Sequence, residues 1–301
     1  MKILILGGNG FIGSHITDDL VANGHDVTVF HRSAKKYVEP SDKLRFYLGD
    51  FSDAVKLGEA VDGMDIVIHA ISTTVPSTSN LNPISDIQQN LIATIQLLDL
   101  MLKANVKRLI YLSSGGTVYG KPNQIPVSET HPLNPICSYG IVKVAIENYI
   151  GMHKELYGLK PIILRPSNPY GPRQAHAGVQ GELSTFLFNT LNHKPITIWG
   201  DGETKRGYIY VKDLATLCRL AAESEIDGTF NVCSGVSHSL NELLRLIEVS
   251  TNIKPFVSSK PSRAFDVKEI LLNINKVKQA FGWMPTYSIQ EGITEFVKYL
   301  A

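Results

Sequence analysis

Three features that direct proteins to particular environments are scarce in this sequence. It has three cysteines, Cys137, Cys218 and Cys233, which lie too far apart for a metal-binding spacing or a disulfide framework. Its net charge is +1, so no excess of basic residues favours nucleic acid or an anionic membrane surface. No apolar run reaches the roughly 20 residues that a membrane span needs. We therefore expect a cytoplasmic protein without a metal site, a nucleic-acid partner or a membrane partner.

The first half of the chain alternates short aliphatic runs with segments of helical length. Continuous runs of Ile, Leu and Val are typical of strands that are buried on both faces. Their alternation with helices predicts an α/β fold with a doubly wound parallel sheet. Strands are predicted at Lys2–Leu6, Asp26–Phe30, Leu44–Leu48, Ile66–His69, Arg108–Leu112 and Pro161–Arg165, and helices at Asp86–Ala104 and Ser138–Tyr157.

A glycine-rich turn follows the first predicted strand and opens the first helix. It reads Gly7-Gly-Asn-Gly10-Phe-Ile-Gly13. Gly7 permits the tight turn, Gly10 lets the backbone approach a pyrophosphate, and Gly13 lets the helix pack against the strand. The helix N-terminus then offers free N–H groups and a positive dipole end to the phosphates. The turn predicts a nicotinamide dinucleotide bound to a Rossmann-type sheet.

The second half of the chain changes character and divides the protein into two regions. A strand at Gly207–Val211, a helix at Asp213–Ala222 and a strand at Thr229–Val232 are predicted to rejoin the sheet. Residues 1–166, rejoined by about 207–235, are therefore expected to form the dinucleotide-binding domain. Residues 167–206 and 236–301 are expected to form a smaller C-terminal α/β region that binds substrate.

The end of the second strand bears on the form of the cofactor. An acid that binds the ribose hydroxyls of NAD is expected there, but the chain has His31-Arg32-Ser33. Arg32 could pair with the 2′-phosphate of NADP and Ser33 could hydrogen-bond it, although a solvent-exposed arginine is the alternative. Asp50, after the third strand, either meets the adenine or lies at the start of the next helix. NAD and NADP both remain open, with His31-Arg32 favouring NADP.

A tyrosine and a lysine are spaced four residues apart in a predicted helix. Tyr139 and Lys143 then share one helix face. A phenol with an ordinary pKa of about 10 is a poor base at neutral pH. A neighbouring ammonium and a cationic nicotinamide ring lower that pKa, so Tyr139 can exchange a proton with a substrate hydroxyl while a hydride moves. Lys143 would also hold the nicotinamide ribose.

In these motifs the sequence resembles the extended short-chain dehydrogenase/reductases of the NAD-dependent epimerase/dehydratase type. Members of this family act on nucleotide sugars, and the chain looks most similar to UDP-glucose 4-epimerase-like proteins. The resemblance covers nearly the whole chain. It is carried by the glycine turn, Asn90, Ser113-Ser-Gly-Gly-Thr-Val-Tyr-Gly120, Tyr139 with Lys143, Arg165-Pro-Ser-Asn-Pro-Tyr-Gly-Pro172, Trp199-Gly-Asp-Gly202, Arg206 and Phe281-Gly-Trp283.

The resemblance implies roles for further residues. The family's catalytic Ser or Thr after the fifth strand corresponds to Gly115 here, so Thr117 or Ser114 is expected to supply the hydroxyl, unless the serines only cap the turn. Asn168, Arg206 and Arg263 correspond to residues that bind the substrate diphosphate. The expected cofactor contacts are Gly7, Gly10, Phe11, Ile12, Gly13, His31, Arg32, Ser33, Asp50, Phe51, Ala70, Ile71, Ser72, Asn90, Tyr139 and Lys143.

The resemblance also frames the expected function and assembly. The leading hypothesis is a UDP-sugar 4-epimerase that forms a transient 4-keto sugar with NAD. The alternative is an NADPH-dependent 4-ketoreductase of a dTDP- or UDP-6-deoxy-4-keto sugar, which His31-Arg32 and Gly115 favour. A non-catalytic nucleotide-binding regulator is the third hypothesis, which the intact Tyr139 and Lys143 disfavour. Family members often pair two helices per subunit, so 87–104 and 138–157 are expected to form a homodimer.

Overall fold

The computed structural model of the protein describes residues 1–32, 37–38, 41–174, 181–261 and 267–300. Its strands are β1 (Lys2–Leu6), β2 (Asp26–His31), β3 (Leu44–Leu48), β4 (Ile66–His69), β5 (Arg108–Leu112), β6 (Lys160–Pro166), β7 (Pro169–Tyr170), β8 (Ile196–Trp199), β9 (Lys205–Gly207), β10 (Ile209–Tyr210), β11 (Gly228–Val232), β12 (Ser237–Ser239), β13 (Val257–Lys260) and β14 (Glu269–Ile270). Its helices are α1 (Phe11–Ala22), α2 (Ala54–Val61), α3 (Pro83–Asp86), α4 (Ala93–Lys103), α5 (Ser138–Tyr157), α6 (Glu182–Leu191), α7 (Val211–Glu223), α8 (Leu240–Thr251), α9 (Asn275–Phe281) and α10 (Ile289–Leu300).

The central sheet positions the candidate site. Its strands run in the order β11-β6-β5-β4-β1-β2-β3, and every neighbouring pair is parallel. The direction of the chain through the sheet reverses between β1 and β4. In open α/β sheets, ligands bind beyond the carboxyl ends of the strands at such a reversal. The loops that follow β1 and β4 are therefore the first place to look for a ligand.

Helices cover both faces of this sheet and bury its strands. On one face, Ile3 and Ile5 of β1 pack with the apolar side chains of α1 and α7. On the other face, Leu4 and Leu6 pack with α2, α4 and α5. Alternate residues of one strand thus belong to two separate cores, which explains why each of its buried residues, Ile3 to Leu6, is apolar, whereas Lys2 at its start is exposed. The predicted doubly wound, Rossmann-type parallel sheet is confirmed.

The second half departs from the sequence prediction at one segment. The expected strand at Gly207–Val211 does not join the central sheet. Instead β9 pairs with β12 and β14, β10 pairs with β7, and Val211 already begins α7. Residues 205–210 bend between two small sheets, and a periodicity over five residues does not reveal such a division. By contrast, β11 does pair with β6 at the edge of the central sheet.

A third core lies in the smaller region. Its apolar side chains come from α6, α8 and α10 and from the strands β7, β8 and β10. The boundaries that the sequence suggests for the two regions stay a prediction. Within the part of the chain that the structure describes, none of the helices combines the length and the apolar character needed to cross a membrane.

Candidate active site

The glycine turn connects β1 to α1 beside the loop that follows β4. Gly7 has a φ of +83°, a left-handed conformation that glycine adopts without strain. A methyl group at Gly7 would lie 3.0 Å from the Cγ1 atom of Ile71, so the two loops touch. A methyl group at Gly13 would lie 2.2 Å from the carbonyl oxygen of Gly7. Gly13 is therefore needed for the close packing of α1 against the turn.

The first turn of α1 is suited to hold a diphosphate. The helix begins after Gly10, and no side chain caps it. The first N–H groups of a helix have no partner inside the helix, and they carry its positive dipole end. A methyl group at Gly10 would lie 3.2 Å from the Gly7 carbonyl oxygen, so the turn is tightly closed beside these groups. The backbone of Phe11, Ile12 and Gly13 thus presents an open anion-binding surface, which fits a dinucleotide.

The carboxyl ends of β2 and β3 hold the residues expected near the adenosine. His31 is only 7% exposed, and among the described residues neither of its ring nitrogens has a hydrogen-bond partner. Burial lowers the pKa of His31, so the ring is neutral and can both donate and accept. A buried imidazole without partners costs free energy unless a ligand satisfies it. Its position and its unsatisfied nitrogens fit contact with the cofactor.

Arg32 and Asp50 lie near each other at this edge, and both are exposed. Hydrogen bonds from Ser52 lower the pKa of Asp50, and the charge of Arg32 adds to this effect. The Asp50 carboxylate accepts from the backbone and the hydroxyl of Ser52, while Asp53 caps α2. A carboxylate close to Arg32 would repel a 2′-phosphate, which disfavours NADP. Ser33, the third residue expected here, lies outside the described residues.

Tyr139 and Lys143 lie on the first turns of α5, next to the carboxyl end of β5. The Lys143 ammonium donates to the Leu112 carbonyl oxygen at 2.8 Å. It lies 4.8 Å from the centre of the Tyr111 ring and 5.6 Å from that of Tyr139. Burial lowers the pKa of Lys143 to about 8, and the carboxylates of Glu147 and Asp86 oppose this fall. At neutral pH the lysine remains mostly protonated, as its expected role requires.

Two serine hydroxyls lie next to the phenol of Tyr139 and affect its pKa. Burial raises the pKa of Tyr139 to about 12, and hydrogen bonds with Ser72 and Ser114 partly offset this rise. The Thr117 hydroxyl donates to the Ser114 hydroxyl at 2.9 Å, so both expected hydroxyls belong to one chain that ends on Tyr139. Ser72 comes from the loop after β4, and Ser114 from the loop after β5. Two strand ends therefore converge on the phenol.

The structure gives a physical reason for the glycine at position 115. A methyl group on Gly115 would lie 2.3 Å from the Cδ1 atom of Leu272 and 2.7 Å from the Arg165 carbonyl oxygen. A serine or threonine side chain does not fit there without movement of the neighbouring backbone. Ser114 therefore places a hydroxyl next to the Tyr139 phenol although position 115 has none.

Asn90 uses its amide to hold the loop that follows β4. A π-helical segment, Ile87–Ile92, joins α3 to α4 and carries Asn90. The Asn90 amide donates to the Thr73 hydroxyl at 2.9 Å, and its oxygen accepts from the Thr73 backbone at 3.0 Å. Asn90 is buried, and its bonds to Thr73 hold the end of the segment that contains Ala70, Ile71 and Ser72. Phe51, also expected to contact the cofactor, is buried with its ring centre 5.0 Å from that of His69.

The residues expected to bind the substrate diphosphate lie beyond β6 and on β9. Asn168 is exposed and has a φ of +37°, a conformation that is uncommon for residues other than glycine. Its amide donates to the Gly207 carbonyl oxygen at 2.8 Å. Arg206 donates to the carbonyl oxygens of Lys205 and Val267, both at 2.8 Å. Arg263 lies outside the described residues.

Two residues that the sequence analysis missed fix the start of the helix that carries Tyr139. Cys137, at the N-cap position of α5, provides no side-chain cap. Instead Asn80 accepts from the Ser138 backbone at 2.9 Å, and Ser79 accepts from the Tyr139 backbone at 3.1 Å. Capping motifs are recognised within a few residues of a helix start. These caps lie 58 and 60 residues away in sequence, so no local pattern reveals them.

Fold and site together define a class of protein. A doubly wound sheet, a glycine turn at its point of reversal and a Tyr–Lys pair beside it are the features of an extended short-chain dehydrogenase/reductase. The model of the NAD dependent epimerase/dehydratase family matches residues 3–233, and the chain belongs to this family. The expected family, and an enzyme that depends on a nicotinamide dinucleotide, are thereby confirmed.

Individual relatives cover almost the full chain. A putative UDP-glucose 4-epimerase of Methanocaldococcus jannaschii is 36% identical and covers 99% of this chain and 98% of the relative. A dTDP-4-dehydro-6-deoxyglucose reductase of Escherichia coli is 36% identical, with coverages of 98% and 96%. The crystal structure of the UDP-glucose 4-epimerase of Thermotoga maritima with UDP-glucose is 34% identical, has a TM-score of 0.93 and covers 100% and 98%.

Proposed function

We propose that the protein is a UDP-sugar 4-epimerase that works with NAD. The observation that carries this proposal is the Tyr139 phenol, which meets the Ser72 and Ser114 hydroxyls beside the Lys143 ammonium. This group lies at the edge of the sheet where the glycine turn offers its amides. The UDP-glucose 4-epimerases among the relatives support the substrate class, and the family supports NAD. The exposed Asp50 carboxylate near Arg32 supports NAD over NADP.

Tyr139, Ser114 and Lys143 have separate roles in this reaction. NAD, which the first turn of α1 would hold, would supply hydride transfer from and to the sugar C4 carbon. Tyr139 takes the proton of the sugar 4-hydroxyl as the 4-keto sugar forms, and it gives a proton back when the sugar is reduced on its other face. Ser114, with Thr117 behind it, donates to the reacting oxygen. Lys143 stabilises the phenolate by its charge, so Tyr139 acts well below the pKa that burial alone would give it.

Other residues of the site bind without reacting. The first turn of α1 holds the cofactor diphosphate, and His31 satisfies its ring nitrogens on the adenosine. We further propose that Asn168, Arg206 and Arg263 bind the diphosphate of the sugar nucleotide. Guanidinium groups suit this task because they pair with phosphate oxygens in a bidentate way. The Arg206 contacts with two backbone carbonyls hold its guanidinium in one orientation.

The test of the function uses the purified protein as it is isolated. We expect it to convert UDP-glucose to UDP-galactose, or another UDP-hexose to its 4-epimer, without added cofactor. Denaturation of the protein should release NAD, which mass spectrometry identifies. The reductase-like relative makes the ketoreductase the second candidate. Stoichiometric loss of NADPH with a 6-deoxy-4-keto sugar nucleotide, and no epimerisation, would replace the proposal by this alternative. Binding of nucleotide sugar without turnover would indicate a regulator.

The assembly that we propose is a homodimer built on two neighbouring helical segments. On α5, Ile141, Met152 and Leu156 are 55%, 39% and 64% exposed. Ile84 and Leu102, on the segment from α3 to α4, are 65% and 44% exposed. In a two-fold dimer the same patch of both subunits would meet, so one apolar face of two helices can be its own partner. A bundle of four helices would cover this face.

A charge in this apolar face should dissociate the dimer. We expect Met152→Glu to shift the protein to monomer, because a buried, unpaired carboxylate costs several kcal/mol. Size-exclusion chromatography with light scattering measures the mass. Val249→Glu is the matched control, since Val249 is a 69% exposed apolar residue of α8 outside the patch, and it should leave the mass unchanged. Equal masses for Met152→Glu and the wild-type protein would contradict the proposed interface, as would a monomeric wild-type protein.

A further inference from the structure

A carboxylate that no motif includes is buried next to the candidate active site. Asp86 ends α3 and has no exposed surface. Its Oδ1 atom accepts from the Thr74 hydroxyl at 2.8 Å and from the Asn90 amide at 2.9 Å. Its Oδ2 atom accepts from the Ser138 hydroxyl at 2.8 Å. A charge without solvent is tolerated when donors surround it, and here three donors do so.

The three donors belong to three segments that meet at the site. Thr74 lies in the loop after β4, two residues beyond Ser72, whose hydroxyl lies next to the phenol and donates to the Thr74 carbonyl oxygen at 3.0 Å. Asn90 lies in the π-helical segment, and Ser138 begins α5 immediately before Tyr139. One carboxylate therefore joins the loop that carries Ser72 to the helix that carries Tyr139. We propose that Asp86 is a positioning residue. It holds the Tyr139 phenol beside the Ser72 hydroxyl, and its negative charge stabilises the Lys143 ammonium.

The groups that face Lys143 determine its pKa. Glu147 of the same helix and Asp86 both raise the pKa of Lys143, whereas burial lowers it. The Tyr111 and Tyr139 rings are uncharged neighbours, and burial keeps His69 neutral, with a pKa of about 3. Asp86 also raises the pKa of Tyr139, although burial is the main cause. Loss of the Asp86 charge should therefore lower the pKa of both Tyr139 and Lys143.

The inference rests on the proposed epimerase function and is tested with two variants. Asp86→Asn keeps the shape and can still bond all three partners, but it removes the charge. We expect both limbs of the pH profile of kcat to move to lower pH by about 0.5 unit or more, with a small change in KM. Asp86→Ala removes the three contacts as well, and kcat should fall roughly 10- to 100-fold because the phenol is displaced. Coincident pH profiles for Asp86→Asn and the wild-type protein would refute the electrostatic role.

A matched control separates positioning from general stability. Asp213 is also buried, and its carboxylate accepts three hydrogen bonds, from the backbone and hydroxyl of Thr286 and the backbone of Tyr287. Asp213→Asn should lower the melting temperature without moving the pH profile. A profile that moves equally in both variants would mean that Asp86 has no specific effect.

Hydrogen exchange tests the positioning role of Asp86 without enzymatic turnover, so its result does not depend on the proposed function. Hydrogen exchange should become faster in Asp86→Ala at residues 72–82 and at the first turn of α5, where the Ser138 and Tyr139 amides are capped from the loop. It should stay unchanged at α7. If this exchange pattern appears but the wild-type protein has no epimerase activity, the proposed function is refuted and the positioning role of Asp86 is supported. Unchanged exchange at both segments would overturn the positioning role whatever the activity.

Discussion

Replacement of Tyr139 by phenylalanine is expected to lower kcat for epimerisation by about 10³-fold, within the range that general acid–base catalysis contributes. The phenol is the group on which the Ser72 and Ser114 hydroxyls converge, and the Lys143 ammonium lies beside its ring. The variant keeps the ring and therefore its packing, so KM and the content of bound NAD should change little. Initial rates with UDP-glucose and mass spectrometry of the released cofactor measure the two effects.

The control for this variant removes another phenol from the same helix. Tyr157 is the last residue of α5, is exposed and packs its ring edgewise on His153. Tyr157→Phe should retain the full kcat. If Tyr139→Phe kept more than about a tenth of the wild-type kcat, a different group would have to move the proton, because a lost acid–base catalyst costs at least about 100-fold.

Local structure could be predicted from the sequence where the local pattern and the tertiary environment favour the same conformation. Lys2–Leu6 was predicted with its observed bounds because the four residues after the exposed Lys2 are buried and apolar, as a strand covered on both faces requires. The glycine turn was predicted for a similar reason, since a methyl group at Gly13 would collide with the Gly7 carbonyl oxygen. In such places, chemistry within a few residues dictates the structure, so a pattern within a few residues reveals it.

Contacts between distant segments escaped the sequence analysis. Ser79 and Asn80 cap α5 from a short 3₁₀ helix, Ser79–Leu81, some 60 residues earlier, and neither has a local feature that marks it as a cap for another element. Gly115 stood out as a departure from the family, but its reason, the closeness of Leu272 and Arg165, exists only in the fold. The residues around the Tyr139 phenol could thus be named one by one from the sequence, and their roles stay predictions, whereas the contacts between them could not be named.

Replacement of Arg165 by methionine should have the largest effect on stability. Arg165 of β6 and Glu147 of α5 are 5% and 7% exposed, and the guanidinium bonds both oxygens of the carboxylate, at 3.1 and 2.5 Å. Removal of the arginine leaves a buried carboxylate that still accepts from the Ser113 hydroxyl at 2.5 Å but has lost its counter-charge. We expect the free energy of unfolding to fall by about 3–5 kcal/mol, the cost of an uncompensated buried charge. Urea denaturation followed by circular dichroism measures it.

A double variant identifies the unpaired charge as the cause of this loss. Glu147→Met combined with Arg165→Met replaces both charges by apolar groups, and such replacements in other proteins are often neutral or stabilising. The double variant should therefore be more stable than Arg165→Met alone, although it has lost one more native side chain. Arg219→Met, which breaks contacts with Asp19 and Glu223 at 2.9 Å each, should cost less, because these carboxylates are 26% and 35% exposed and water replaces the arginine. If the double variant were less stable than Arg165→Met, the packing of the long side chains between β6 and α5, and not the charge, would account for the loss.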